Sequence, residues 1–312
     1  MIFDKDNRGL DELIARLGFF SGNFDFSRMV SYIDVACRTL GRIFSDAVAD
    51  AVDKHYNSDA YDPFAPESSL SPQDVVTRYF QRTAAAMAYL DLAPNTDLSH
   101  DSTGRNISTT DNQRLAYDSQ IERSNDALRA LVSTGIDLIY DALERGEAFP
   151  EWLDSPQRRA ARETLFPTAG EFSSVFDIGG SYYVFHKIVP VIRITEATVI
   201  KPLLGSFYEK VRDCKDCDPS LCLMVRRATA VYVMAEHLVK GSMSYYQNNI
   251  VPSKATAAER NAERAALLSE FSTLSDSIRS EISRLEGQGF VRGPRSDENV
   301  NDKNNKYFYN GL

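Results

Sequence analysis

The sequence predicts a mainly α-helical protein: an internally duplicated helical bundle with a small β-hairpin insertion and an extended C-terminal tail. Three observations predict it. Apolar residues recur at steps of three and four along most of the chain, which places them on one face of a 3.6-residue helix. Helix-start signals open several of these runs. Two distant segments also align without a gap, the mark of a repeated unit.

Residues 1–25 form an N-terminal segment, an amphipathic start followed by the turn Leu17-Gly18-Phe19-Phe20-Ser21-Gly22. Residues 26–152 form a first helical repeat. Its opening helix carries Phe26, Met29, Val30, Ile33, Ala36, Cys37, Leu40, Ile43, Phe44, Ala47, Val48, Ala51 and Val52 in one continuous stripe. Ser71-Pro72 restarts a helix as N-cap and first-turn proline, with Val76, Phe80, Ala84 and Met87 inward. The polar stretch around Thr103-Gly104 reads as an exposed hairpin near 96–110 or as a plain surface loop. A long helix over 114–145 follows and ends at Gly146, ahead of the turn Phe149-Pro150-Glu151-Trp152.

Residues 153–184 are linking helices, capped by Ser155-Pro156 and by the box Thr168-Ala-Gly-Glu171. Residues 185–290 form the second repeat. Ser181 caps its first helix, Pro190 is expected to kink it, and Pro202 and Gly205 interrupt it. Thr256-Ala-Ala-Glu259 opens the last helix, where Leu267, Phe271, Leu274, Ile278, Ile282 and Leu285 run near heptad spacing. Residues 291–312 are read as an extended tail.

The duplication rests on setting Phe26 against Phe185. Phe-Ser-Arg-Met-Val-Ser-Tyr-Ile (26–33) then lies over Phe-His-Lys-Ile-Val-Pro-Val-Ile (185–192), and Val52 falls on Val211. A proline-led helix, a connector and a long helix ending Leu-Glu follow in each copy, across about 26–147 and 185–287. Two copies suit a pseudo-symmetric bundle whose halves cover each other's apolar faces.

Composition narrows the function. Apolar residues make up 43% and charged residues 25% of 312 residues, the ordinary globular range. A net charge of −9 argues against nucleic-acid binding as the main task. No run approaches the ~20 apolar residues of a membrane span, and the start lacks a signal-peptide pattern.

The chain holds no phosphate loop, no dinucleotide fingerprint, no His-Glu-x-x-His and no Gly-x-Ser-x-Gly. This points away from an enzyme, with no catalytic residues, cofactor or metal expected. Cys214-Lys-Asp-Cys217 with Cys222 has zinc-knuckle spacing but lacks a matching partner pair, so it reads as an incidental loop. His55, His100, His186 and His237 are scattered, and carboxylates on helices read as solvated polar faces. Gly179-Gly180 reads as a turn before a helix rather than an anion site. The tail supplies the one positive signal: Tyr307, Phe308 and Tyr309 stand together in a polar segment, either as anchors that dock on a neighbouring subunit or as a tail folded back on its own domain.

This pattern resembles an uncharacterised family found in prophages and related mobile elements of gut bacteria. The resemblance spans most of the chain. It is carried by Gln120-Ile121, Phe149-Pro150-Glu151-Trp152 with Ser155, Phe172, and Ile188-Val189-Pro190-Val191-Ile192 through Glu196, Ile200, Pro202-Leu203-Leu204-Gly205 and Tyr208. It is also similar to helical head–tail connector proteins of tailed phages, although the chain is about twice as long as the small connectors. The resemblance implies a structural virion protein at the phage neck. Such a protein is a homo-oligomeric ring, assembled in the bacterial host cytoplasm, that contacts portal and tail or other neck proteins. Its negative charge would let DNA pass without specific binding. The alternative is a cytoplasmic helical interaction protein or a metal-dependent regulator using the cysteine loop.

Overall fold

A computed structural model describes residues 2–20, 22–96, 99–101, 104–106, 117–213, 218–240, 243–246, 249–252 and 256–287. The fold is mainly α. Twelve α-helices are described: α1 (Gly9–Leu17), α2 (Ser27–Phe44), α3 (Asp46–Tyr56), α4 (Pro72–Thr96), α5 (Asp118–Glu144), α6 (Pro156–Arg162), α7 (Ala169–Ser173), α8 (Tyr182–Thr195), α9 (Lys201–Leu204), α10 (Tyr208–Asp213), α11 (Pro219–Lys240) and α12 (Ala257–Gly287). Two short antiparallel ladders accompany them: β1 (Ser99–Asp101) with β2 (Gly104–Asn106), and β3 (Met243–Tyr246) with β4 (Asn249–Pro252). Strands of three and four residues add no layer to the architecture.

The helix starts follow the capping chemistry. Ser71 and Asp74 exchange reciprocal bonds, Ser71 N–H to Asp74 Oδ2 at 2.8 Å and Asp74 N–H to Ser71 Oγ at 3.1 Å. Ser155 accepts from Arg158 N–H, Thr168 from Glu171 N–H, Ser181 from Val184 N–H and Thr256 from Glu259 N–H. Each hydroxyl satisfies an amide that has no partner within the helix.

The single helix expected from Phe26 to Val52 is two. The chain breaks at Ser45, whose φ of 162° and ψ of 157° are fully extended, and Ser45 Oγ caps α3 through Val48 N–H at 3.2 Å. The apolar spacing hides the break because α3 resumes in phase and buries Val48 and Val52 in the same core. Pro190 lies inside α8 on its exposed side. Regular winding gives way after α8 to a π-helical turn at Glu196–Ile200. Pro202 and Gly205 then turn the chain, Gly205 at φ +53°.

The buried side chains form one cluster from Ile2 to Ile278, so the N-terminal segment, both proposed repeats and the linking helices share a core. α2 and α5 both pack on α4, and α12 packs along α11. At the centre, Trp152 is fully buried, edge-on to Tyr140, Phe44 and Tyr182. Its Nε1–H donates to Glu144 Oε1 at 2.8 Å, and Arg158 and Arg162 close on the same carboxylate. Along α12, Leu267, Phe271, Leu274, Ile282 and Leu285 pack against the core and Ile278 is fully buried within it.

Candidate functional site

The residues singled out from sequence do not converge. Tyr307, Phe308 and Tyr309 lie outside the described residues, as do Cys214 and Cys217. Cys222 is disulfide-bonded. A bridged sulfur is not a thiolate, so the third zinc ligand imagined for that loop is lost. Among the described residues no group of three or more His, Cys, Asp or Glu side chains could hold a metal ion. Gly179 and Gly180 do form a turn, both at positive φ. The amides of α8 beyond it are already taken: Asp137 Oδ1 accepts from Tyr182 N–H at 2.6 Å and Tyr183 N–H at 3.1 Å.

The resemblance-bearing residues are corners and core. Glu196 is buried, accepting from Leu165 N–H at 2.7 Å and from the Tyr208 hydroxyl at 2.9 Å. Burial raises its pKa against these donors. Phe172 stacks edge-on to Phe166, and Gln120 caps α5 by accepting from Tyr117 N–H.

The reading of helix carboxylates as solvated faces fails at Glu12 and Glu196, both of which are buried. Glu12 anchors a polar chain through the N-terminal half. The Tyr56 hydroxyl, Lys5 N–H and Gln81 Nε2 all donate to its carboxylate, between 2.8 and 3.0 Å. Gln81 Oε1 in turn accepts from Tyr61 and from Arg16 Nε. Burial still raises the Glu12 pKa, opposed first by Tyr56. The sequence did carry a signal. Gly9, Glu12, Leu13 and Arg16 fall at steps of three, one and three, so Glu12 occupies the inward phase of α1.

Arg16 leads out of this chain into a cleft of about 500 Å³, lined by Ala15, Arg16, Glu67, Leu70, Val75, Arg78, Tyr79 and Arg82. Three arginines face one carboxylate there. Arg16 donates to Gln81 Oε1, the Tyr61 hydroxyl and Pro63 O, and Arg78 donates through Nη2 to the carbonyls of Asp62, Pro63 and Ala65. All of these acceptors are uncharged. Most of the donors are served by neutral groups, and the buried Glu12 carboxylate behind Arg16 offsets only part of the positive charge of the three arginines. Arg78 Nε is buried without an acceptor, and Arg82 is exposed. The pKa of Arg16 is lowered, first by burial and then by the neighbouring Arg78.

A second cleft, of about 330 Å³, has the opposite sign. Asp34, Asp46, Asp50 and Asp53 face the lone Arg38 around Cys37, Gly41 and Phe80. The Cys37 thiol is pushed up to about 11 by burial, which makes it unreactive. Helix α4 stands between the two clefts. Val75, Arg78, Tyr79 and Arg82 line the basic one and Phe80 the acidic one. At about 100° per residue, Phe80 projects about 150° away from the middle of that arginine stripe.

No family model matches the chain, and no curated protein or solved structure matches it either. Among the described residues no helix is long and apolar enough to cross a membrane.

Proposed function

We propose that the chain is a structural virion protein, a head–tail connector or adaptor at the phage neck, whose copies form a ring between portal and tail or other neck proteins. The observation that carries this reading is the pair of oppositely charged clefts on the two sides of α4. A ring is closed by head-to-tail contacts, which need two unlike surfaces on different sides of one subunit. A helical body with one core supplies a rigid frame for them.

The internal duplication belongs to this proposal. Each half runs from an amphipathic helix through a break to a long helix, a short ladder and a further long helix: α2, α3, α4, β1–β2, α5 and α8, α9–α10, α11, β3–β4, α12. The hairpin insertion near 96–110 is part of it, as is the docking of Tyr307, Phe308 and Tyr309 on a neighbouring subunit. Net negative charge favours a wall along which DNA slides without sticking.

The test is to purify particles of the element that encodes the chain and locate it by imaging with a labelled C-terminus. The expected result is density at the neck, beside the portal. Particles that lack the chain would overturn the proposal.

A further inference from the structure

We propose that the arginine cleft is a socket for the two exposed aspartates of α3, Asp46 and Asp50, which form a ridge at the edge of the acidic cleft on a second copy of this chain. The inference deepens the ring reading above and rests on it. It starts from charge. Arg16 and Arg78 spend their hydrogen bonds on neutral acceptors, and Arg82 stands exposed beside them. Three guanidinium groups around one cleft repel each other, and a single carboxylate, Glu67, lines the cleft with them. Such a cleft gains from an anion that enters with its own geometry already fixed.

The chain carries such an anion on its other side. Asp46 and Asp50 are exposed one turn apart on α3, in the cleft that also takes in Asp34 and Asp53. Arg78 and Arg82 are likewise one turn apart on α4. Pairs at i and i+4 are about 6 Å apart on any helix, so the two rows match in spacing. The ridge cannot reach the socket of its own subunit, because α4 lies between them. A neighbour's ridge can, and the contact repeats from copy to copy with the same two unlike faces. Complementary charge of this kind fixes register and partner choice more than it adds raw affinity, so it selects this arrangement over face-to-face pairing.

The experiment is the size distribution of the full chain in solution, by mass photometry and sedimentation, across a range of concentrations at low and high salt. Four proteins are compared: wild type, Arg82→Glu, Asp50→Lys, and the variant carrying both. Both positions are exposed, and the helical signal with the urea midpoint confirms that each variant folds. The wild type is expected to assemble, and to do so less at high salt. Each single reversal is expected to weaken assembly about tenfold or more, and the double reversal to restore it. Single variants that assemble like wild type would overturn the pairing, as would weak singles that the double fails to rescue. A wild type that stays monomeric throughout would overturn it too. Particle imaging reads the neck assignment separately, so a chain present at the neck but indifferent to these reversals would sink the socket alone.

Discussion

The Tyr56 hydroxyl donates to both carboxylate oxygens of Glu12, at 2.8 and 3.0 Å, in a place closed to solvent. Removing a buried donor from a carboxylate costs about 1–3 kcal/mol. Tyr56→Phe should therefore destabilise the fold by that amount near neutral pH. Burial raises the Glu12 pKa and Tyr56 pulls it back down, so the variant raises it further. The penalty should then shrink as pH falls and Glu12 takes up a proton. Urea unfolding at pH 7 and pH 4.5 measures both, and an equal penalty at the two pH values would contradict this role for Tyr56.

Asp137 receives the first amides of α8, yet burial pushes its pKa from 3.8 up to about 6. A carboxyl whose folded pKa lies above its unfolded value stabilises the fold at low pH and loses that contribution as pH rises. Here the window runs from pH 4 to a little above 6. Asp137→Asn should flatten the decline in stability across it by about 1–3 kcal/mol. Thermal unfolding of the two proteins between pH 4 and 7 is the measurement, and parallel curves would rule this out.

Glu144 has the opposite sign. Burial alone would raise its pKa, but Arg158, Trp152 and Arg162 together lower it below 4.5. Its contribution is present above the unfolded pKa and disappears as pH falls through the folded one. Glu144→Gln should cost about 1–3 kcal/mol at pH 7 and progressively less in acid. Fluorescence of Trp152, the only tryptophan, reports the loss directly, because its indole N–H bonds this carboxylate.

Helices α4 and α5 approach closely at Gly135, where an added Cβ would meet Thr83 Oγ1, with Thr83 Cβ at 3.2 Å. Thr83 is fully buried and its hydroxyl is bonded to Tyr79 O at 2.7 Å, so it has little room to move. Gly135→Ala should destabilise the protein by about 1–3 kcal/mol despite the better helix propensity of alanine. In a Thr83→Ala background the cost should largely vanish. A double-mutant cycle without coupling would show that the contact is not what requires glycine here.

Local chemistry was legible in the sequence, and long-range chemistry was not. The caps at Ser71, Ser155, Thr168, Ser181 and Thr256 each depend on a hydroxyl and an amide three residues away, and all five could be read directly. The break at Ser45 could not, because the apolar phase continues across it. The basic cleft was hidden for a different reason. Arg16 and Gln81 are 65 residues apart in the chain and meet only when α1 packs on α4. Arg78 and Arg82, taken alone, look like the solvated side of any helix. The buried carboxylates Glu12 and Glu196 were hidden because their charge points outward in a residue-type reading while their position in the fold points inward.

The position of α4 bears on a quantity that no surface residue displays. If copies join through the two clefts as proposed, the rotation from one copy to the next depends on how α2 and α3 lie across α4, because that packing sets one cleft relative to the other. Phe44, Val48, Val52, Val76 and Phe80 hold that angle from inside, all of them closed to solvent. The number of subunits in a closed circle would then be written in the interior. On that proposal, resizing Phe44 or Val48, which line neither cleft, would change the count of copies and leave the contact between them intact.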